Sequence, residues 1–311
     1  MKKSATAFAP ATVANVAVGF DILGHAIEGA GDEVTVTRLP GKARVVVGEV
    51  TGIAGTLPTD PRRNTATAGL LAFIKDHKPD FGFEVSIRKG IAMGSGMGGS
   101  AASAVGGLVA ANALLHSPLP KEALFHYALI GEKAASASIH GDNVAPCLFG
   151  GLCLIRSVDP PDLVAIPVSP KILCVLVHPH LEINTRRARA ILKPDVKLAS
   201  HVRQSSNLAG FLTGCIGRDI ELIRRSLEDV VIEPQRKKLI PGFEQAKRLA
   251  LKNGALGFSI SGSGPSVFAW VDSPLIARRV RDEVLRAFKR AGLGAEAWIS
   301  PITLNGARVI A

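Results

Sequence analysis

The sequence predicts an α+β protein of two domains, and three observations lead there. The chain has 311 residues, more than one hydrophobic core usually organises. Its first half opens with β-branched, alternating segments and then passes into helical periodicity. Its last part reads strand, glycine turn, strand, helix, strand, the order of an α+β sandwich. The run "DPPDL" at 159–163 punctuates the chain between the two patterns, so residues 1–160 and 161–311 are expected to form the two domains.

The elements follow in order. Residues 4–9 and 32–39 have strand character, and 43–50 are rich in β-branched side chains. Residues 64–77 have helical periodicity, with Asn64 as N-cap. Phe83, Val85 and Ile87 then alternate with Glu84, Ser86 and Arg88, which predicts a strand. After a glycine-rich stretch, Ala101, Ala104, Val105, Leu108, Ala111 and Leu115 predict a helix with one apolar face. Pro118 and Pro120 end it, residues 121–138 form another helix, and 151–157 return to strand. In the second half, 172–179 is a buried strand. Helices are predicted at 185–192, 200–217, 219–228 and 241–253, the last closed by Asn253-Gly254. Residues 256–271 form strand, turn and strand, Ser273-Pro274 opens a helix that Gly292 ends, and 295–302 is a final strand.

Composition narrows the function. Hydrophobic residues make up 47% and charged residues 20%, a globular balance. Aromatics are only 5%, which argues against a stacking platform for single-stranded nucleic acid. The net charge of +11 is spread along the chain among acids and apolar residues, so it reads as a soluble surface or as steering of an anionic substrate, with no nucleic acid expected. Cys147, Cys153, Cys174 and Cys215 form no CxxC pair and read as reduced, buried thiols, which fits a cytoplasmic protein. The first residues do not make a signal peptide, because Pro10 and Asn15 interrupt a weakly apolar run. No apolar run reaches the roughly 18 residues that would span a membrane.

The stretch "GIAMGSGMGGSAASAV" from Gly90 lies between the strand at 83–89 and the helix that follows. Free N–H groups at a helix start, with glycines that let backbone close on oxygen atoms, make an anion site. Walker A needs a lysine after its last glycine, and Gly99 is followed by Ser100 and Ala101. Gly94–Gly99 satisfies G-x-G-x-x-G, but no acidic residue ends a following strand as a dinucleotide site requires. The protein-kinase signatures are missing.

The loop resembles the phosphate loop of the GHMP small-molecule kinases. "PATVANVAVGFDILG" at 10–24 is similar to that family's N-terminal substrate motif, and "SISGSGPSVFAW" at 259–270 to its C-terminal glycine motif. The resemblance implies an N-terminal domain like ribosomal protein S5 domain 2 and a ferredoxin-like C-terminal α/β sandwich. "GEKAASASIHGDNVAPCLFGG" at 131–151, "NTRRAR" at 184–189 and "EPQRKKLIPGF" at 233–243 are similar to the branch that phosphorylates the side-chain hydroxyl of L-homoserine with ATP, a step toward threonine. Mevalonate-type or shikimate-type kinases of the same family, and a basic RNA-binding protein with an S5-like domain, are the alternatives.

That resemblance implies the site. Gly94, Ser95, Gly96, Met97, Gly98, Gly99, Ser100 and Ala101 would hold the nucleotide, with Asn64 and Lys89 near the base. Ser100 and Glu132 would hold Mg²⁺, which suits one hydroxyl and one carboxylate among waters. Asn15, Asp21, His140, Asp142, Asn143, Arg189 and Arg236 would bind homoserine, the arginines taking its carboxylate. Asp142, Asn143, Ser100 and Glu132 form the catalytic set, with two schemes open: Asp142 as base, or Asp142 as a binding group with the proton left to phosphate or water. The family also implies a homodimer. This chain departs from the usual Ala-Asn-Leu-Gly-Pro-Gly-Phe-Asp at Ala17 and Val18, has Gly99 where a serine is expected, and has Ala137 in place of a glycine.

Overall fold

A computed structural model describes residues 2–53, 56–135 and 140–311; Ala137 of the departures above lies outside them. The chain order is β1 (Ser4–Ala14), β2 (Leu23–Leu39), β3 (Val45–Gly52), α1 (Thr65–His77), β4 (Gly82–Lys89), α2 (Gly99–Asn112), α3 (Lys121–Ala135), α4 (Val144–Phe149), β5 (Leu152–Val158) and β6 (Pro161–Ile166). It continues with β7 (Leu173–Pro179), α5 (Thr185–Ala190), α6 (Leu198–Gly217), α7 (Ile220–Ser226), α8 (Glu233–Arg236), α9 (Phe243–Lys252), β8 (Gly257–Ile260), β9 (Val267–Val271), α10 (Pro274–Arg290), β10 (Ala295–Pro301) and β11 (Arg308–Val309).

The first sheet runs β11-β1-β2-β4-β3, and β2 also carries the β5–β6 hairpin. All its pairings are antiparallel except β3 with β4. Residue 160 therefore lies in the turn of a hairpin. The first sheet continues to Ile166, and the chain end returns to it as β11 beside β1. α2 is buried on every side and not on one face only: Ala101 through Asn112 are all buried. One side lies on β1 and β2, where a Cβ on Gly106 would stand 2.7 Å from Val34. The other side is covered by α1 and α3, where Gly107 and Gly131 meet backbone of Ala66 and Thr65. An amphipathic pattern cannot describe a helix with no wet face, and small side chains are what let its neighbours close in.

The second sheet runs β10-β7-β9-β8, all antiparallel. Counted within its own unit this is strand order 4-1-3-2, the ferredoxin-like arrangement. Its strands alternate between two cores. Val175, Val177, Val267, Ala269 and Val271 face the α9–α10 layer with Phe243 and Phe288. Cys174, Leu176, Phe268 and Trp270 enter the larger core shared with the first domain. At that seam Trp270 Nε1 donates to Nε2 of the buried His25 at 3.2 Å, and burial pushes His25 down to about 4. All four cysteines are free and buried. No helix among the described residues is long and apolar enough to cross a membrane. The functional groups lie where the two domains meet.

Candidate active site

The glycine loop links β4 to α2. Its carbonyls are turned into the protein. Gly94, Ser95 and Met97 oxygens accept from the N–H groups of Ile183 (3.1 Å), Ser266 (3.0 Å) and Thr12 (3.0 Å). Gly96 oxygen accepts from Ser261 Oγ at 2.7 Å. Among the described residues, the amide N–H groups of 94–101 have no protein acceptor. A loop whose oxygens are tied back and whose donors are free is built for an anion. Two positions require glycine. Gly96 has φ 76° and a Cβ there would lie 2.6 Å from Ser261 oxygen; Gly98 has φ 71° and its Cβ would lie 2.1 Å from Thr12 Oγ1. Gly98 occupies the N-cap position of α2.

Lys89 does not face the cavity with its charge. Its Nζ is bound by the Asp32 carboxylate, Gly99 oxygen (2.8 Å) and Ser103 Oγ (3.0 Å), which uses its three donors. Asp32 Oδ1 accepts from Gly90 N (3.1 Å) and Ile91 N (3.2 Å), and Oδ2 from Ser103 Oγ (2.8 Å). The pair is sealed, at 4% and 0% side-chain exposure. It ties the entry of the loop to its exit, and Lys89, expected near the nucleotide, borders the cavity with its three donors already engaged. Asn64 is likewise occupied as the cap of α1, accepting from Ala66 N at 3.0 Å and donating to Pro58 oxygen at 2.9 Å. Met97 and Ala101 turn into the core and contribute no cavity wall.

The loop forms one wall of a cavity of about 470 Å³ between the domains. Asn15, Asp21, Asn64, Lys89, Ser100, Glu132, His140, Asp142, Asn143, Arg189 and Arg236 all border it. Ser100 Oγ donates to Glu132 Oε1 at 2.9 Å. Burial pushes the Glu132 carboxyl up to about 7, against the lowering effects of Ser100 and Lys89. A hydroxyl and a buried carboxylate side by side fit a hard cation that keeps most of its waters. Among the described residues no cluster of three His, Cys, Asp or Glu forms a fuller metal cage.

At the other end the polar groups interlock. Arg189 Nη2 donates to both oxygens of Asp21, at 2.7 and 2.8 Å, and His140 Nδ1 stands 3.5 Å from Asp21. Burial lowers the His140 pKa, Asp21 raises it, and the two arginines lower it further. Arg236 is 3% exposed and donates to Ala188 oxygen (3.0 Å) and Gly262 oxygen (3.1 Å). Burial, then the Arg189 charge, bring it down to about 10. Asp142 is pushed up to about 7 by burial and then by the charges of Asp21 and Glu132. Asn15 spans the domains: its Nδ2 donates to Gly262 oxygen at 2.9 Å and its Oδ1 accepts from Asp21 N at 3.0 Å. The departed motif keeps this aim by strain, with φ 68° at Asn15, 43° at Val16, 58° at Ala17 and 64° at Asp21.

Two family models match the chain, GHMP kinases N terminal domain over residues 64–151 and GHMP kinases C terminal over 208–290. A homoserine kinase of Xylella fastidiosa (strain M12) is 49% identical over 98% of this chain and 94% of its own length. One from Chloroherpeton thalassium is 45% identical over 99% of this chain and all of its own. The crystal structure of homoserine kinase from Cytophaga hutchinsonii superposes with TM-score 0.96 at 42% identity, covering 100% of this chain and 98% of that one.

The chain belongs to the homoserine kinase family of GHMP kinases. It is a phosphotransferase, and the reading as a non-enzymatic RNA-binding protein does not stand. Mevalonate kinase of L. major shares the fold, with TM-score 0.70 at 16% identity. Several residues of this kinase's site are not evident in its sequence. Arg63, Glu182, Asn184, Thr185, Arg186 and Ser263 also border the cavity. Asn184, Thr185, Arg186 and Ser263 stand within the motifs at 184–189 and 259–270 without having been singled out, while Arg63 and Glu182 carry no local pattern. Thr12, Asp32 and Ser261 act on the loop from three distant strands or turns, and only the fold brings them there.

Proposed function

We propose that this enzyme transfers the γ-phosphoryl group of ATP to the side-chain hydroxyl of L-homoserine, giving ADP and O-phospho-L-homoserine. One observation carries the reading: a single cavity joins free loop amides and the Ser100–Glu132 pair at one end to two arginines and two aspartates at the other. The amides of 94–101 hold the phosphate chain. Mg²⁺, when bound, neutralises charge on the phosphates, and Ser100 and Glu132 are the residues that would hold it. Arg189 and Arg236 take the amino acid's carboxylate, and Asp21 and Asp142 face its ammonium and hydroxyl. Asn143, whose Oδ1 accepts from Thr12 Oγ1 at 2.6 Å, offers its amide N–H₂ to the site. Placement and charge neutralisation supply most of the rate, because the transferred group carries little covalent chemistry for the protein to do. Asp142 binds substrate in this scheme and is not required as a base.

The test is an ADP-release assay with homoserine, mevalonate, shikimate and threonine as acceptors. Homoserine is expected well ahead of the others. Equal or better turnover of mevalonate or shikimate would sink the assignment.

A further inference from the structure

Arg189 and Arg236 both border the cavity, and the charge of Arg189 adds to burial in weakening Arg236's hold on its proton. Something must keep them converged. Among the described residues, Arg189 donates to Asp21 and Arg236 to two backbone oxygens. Both Cζ atoms lie 5.2 Å from the centroid of one ring, that of Phe20. Phe20 is half-buried and does not border the cavity, so it reaches the site only through the arginines it supports. An aromatic face attracts cations without competing for their hydrogen bonds, so it can seat a guanidinium and leave N–H donors for an incoming carboxylate.

We propose that Phe20 is a positioning residue that holds Arg189 and Arg236 convergent on the substrate carboxylate. It precedes Asp21, so one short turn supplies both the ring behind Arg189 and the acid that pairs with it. The inference rests on the proposed role of the two arginines in binding the amino acid.

The experiment measures homoserine and ATP kinetics for Phe20→Leu, Phe20→Tyr, Arg189→Ala and Arg236→Ala, and for Phe20→Leu combined with Arg236→Ala. Phe20→Leu is expected to raise the homoserine KM about tenfold, with kcat and the ATP KM little changed. Phe20→Tyr, which keeps the ring, restores the wild-type KM. In the Arg236→Ala background the leucine substitution adds much less than tenfold, because one of its two clients is gone. Phe20→Met serves the same comparison should the leucine variant not fold. A leucine variant that lowers kcat and raises both KM values together, or that is fully additive with Arg236→Ala, overturns the proposal. If Arg189→Ala and Arg236→Ala themselves leave the homoserine KM unchanged, it is the role of the arginines that fails, and the two failures are distinct.

Discussion

Lys89 and Asp32 form an ion pair sealed beneath the phosphate loop, and between them they hold Gly90, Ile91, Gly99 and Ser103. Removing one partner of such a pair leaves a bare charge in the interior. Lys89→Met is expected to cost about 3–5 kcal/mol of stability. Lys89→Met with Asp32→Leu should cost less than the sum of the single changes, because no unpaired charge remains. Urea denaturation of the three variants checks this, and the double variant should still show a raised ATP KM, since the loop ends are no longer tied. Additive stability losses would contradict the pairing.

Glu132 and Asp142 both carry pKa values raised to about 7 by burial. A carboxyl whose folded pKa exceeds its unfolded one binds protons more tightly when folded. It therefore contributes stability that is present below the unfolded value and lost as pH rises through the folded one. The nucleotide-free protein should melt at a higher temperature near pH 5 than near pH 8, the two carboxyls outweighing the buried His25, which burial holds down to about 4 and which acts the other way. Saturating Mg²⁺ and nucleotide should shrink the difference, since a bound cation favours the ionised Glu132. Melting curves at the two pH values, with and without ligands, decide it; a higher melting temperature at pH 8 in the free protein would count against it.

Ser100→Ala and Glu132→Gln remove the hydroxyl and the charge of the hydrogen-bonded pair proposed to hold Mg²⁺. Each is expected to cut kcat by about a hundredfold or more at fixed Mg²⁺, the scale of a lost charge-stabilising group. Ser100→Ala should also raise the Mg²⁺ concentration needed for half-maximal rate. Wild-type turnover of Glu132→Gln at saturating Mg²⁺ would remove this residue from the metal site.

Ala17 sits at φ 58° where the related motif has glycine. Ala17→Gly relieves the left-handed backbone but adds freedom to the unfolded chain, so the net gain should be modest, about 0.5–1 kcal/mol. Chemical denaturation measures it. A loss of stability would mean that the Cβ of Ala17 contributes more by burial than its backbone costs.

Much of this was legible from residue order. The alternation at 83–89 became β4, the glycine run became the loop between β4 and α2, and Asn64 capped its helix as its type suggests. Other parts had no local signature. α4 is six residues inside a motif, and β6 lies where proline and aspartate suggested only punctuation. The first strands extend beyond the expected 4–9 and 32–39, through residues 10–14 and from Leu23, where runs of consecutive buried residues remove the alternation that marks a strand.

Amino-acid order by itself determined the α+β class and the place of the glycine loop between a strand and a helix, since each rests on residue types at short spacing, while the polar set near the loop was expected from the resemblance of its motifs. Tertiary structure alone decided that Lys89 serves Asp32, that Ser261 and Ser266 turn the loop carbonyls inward, and that Phe20 backs two arginines from distant helices. The reason is reach. Periodicity and motif spacing report on neighbours within a few turns of chain, while a buried charge takes whichever partner the packed fold sets within hydrogen-bond distance of it.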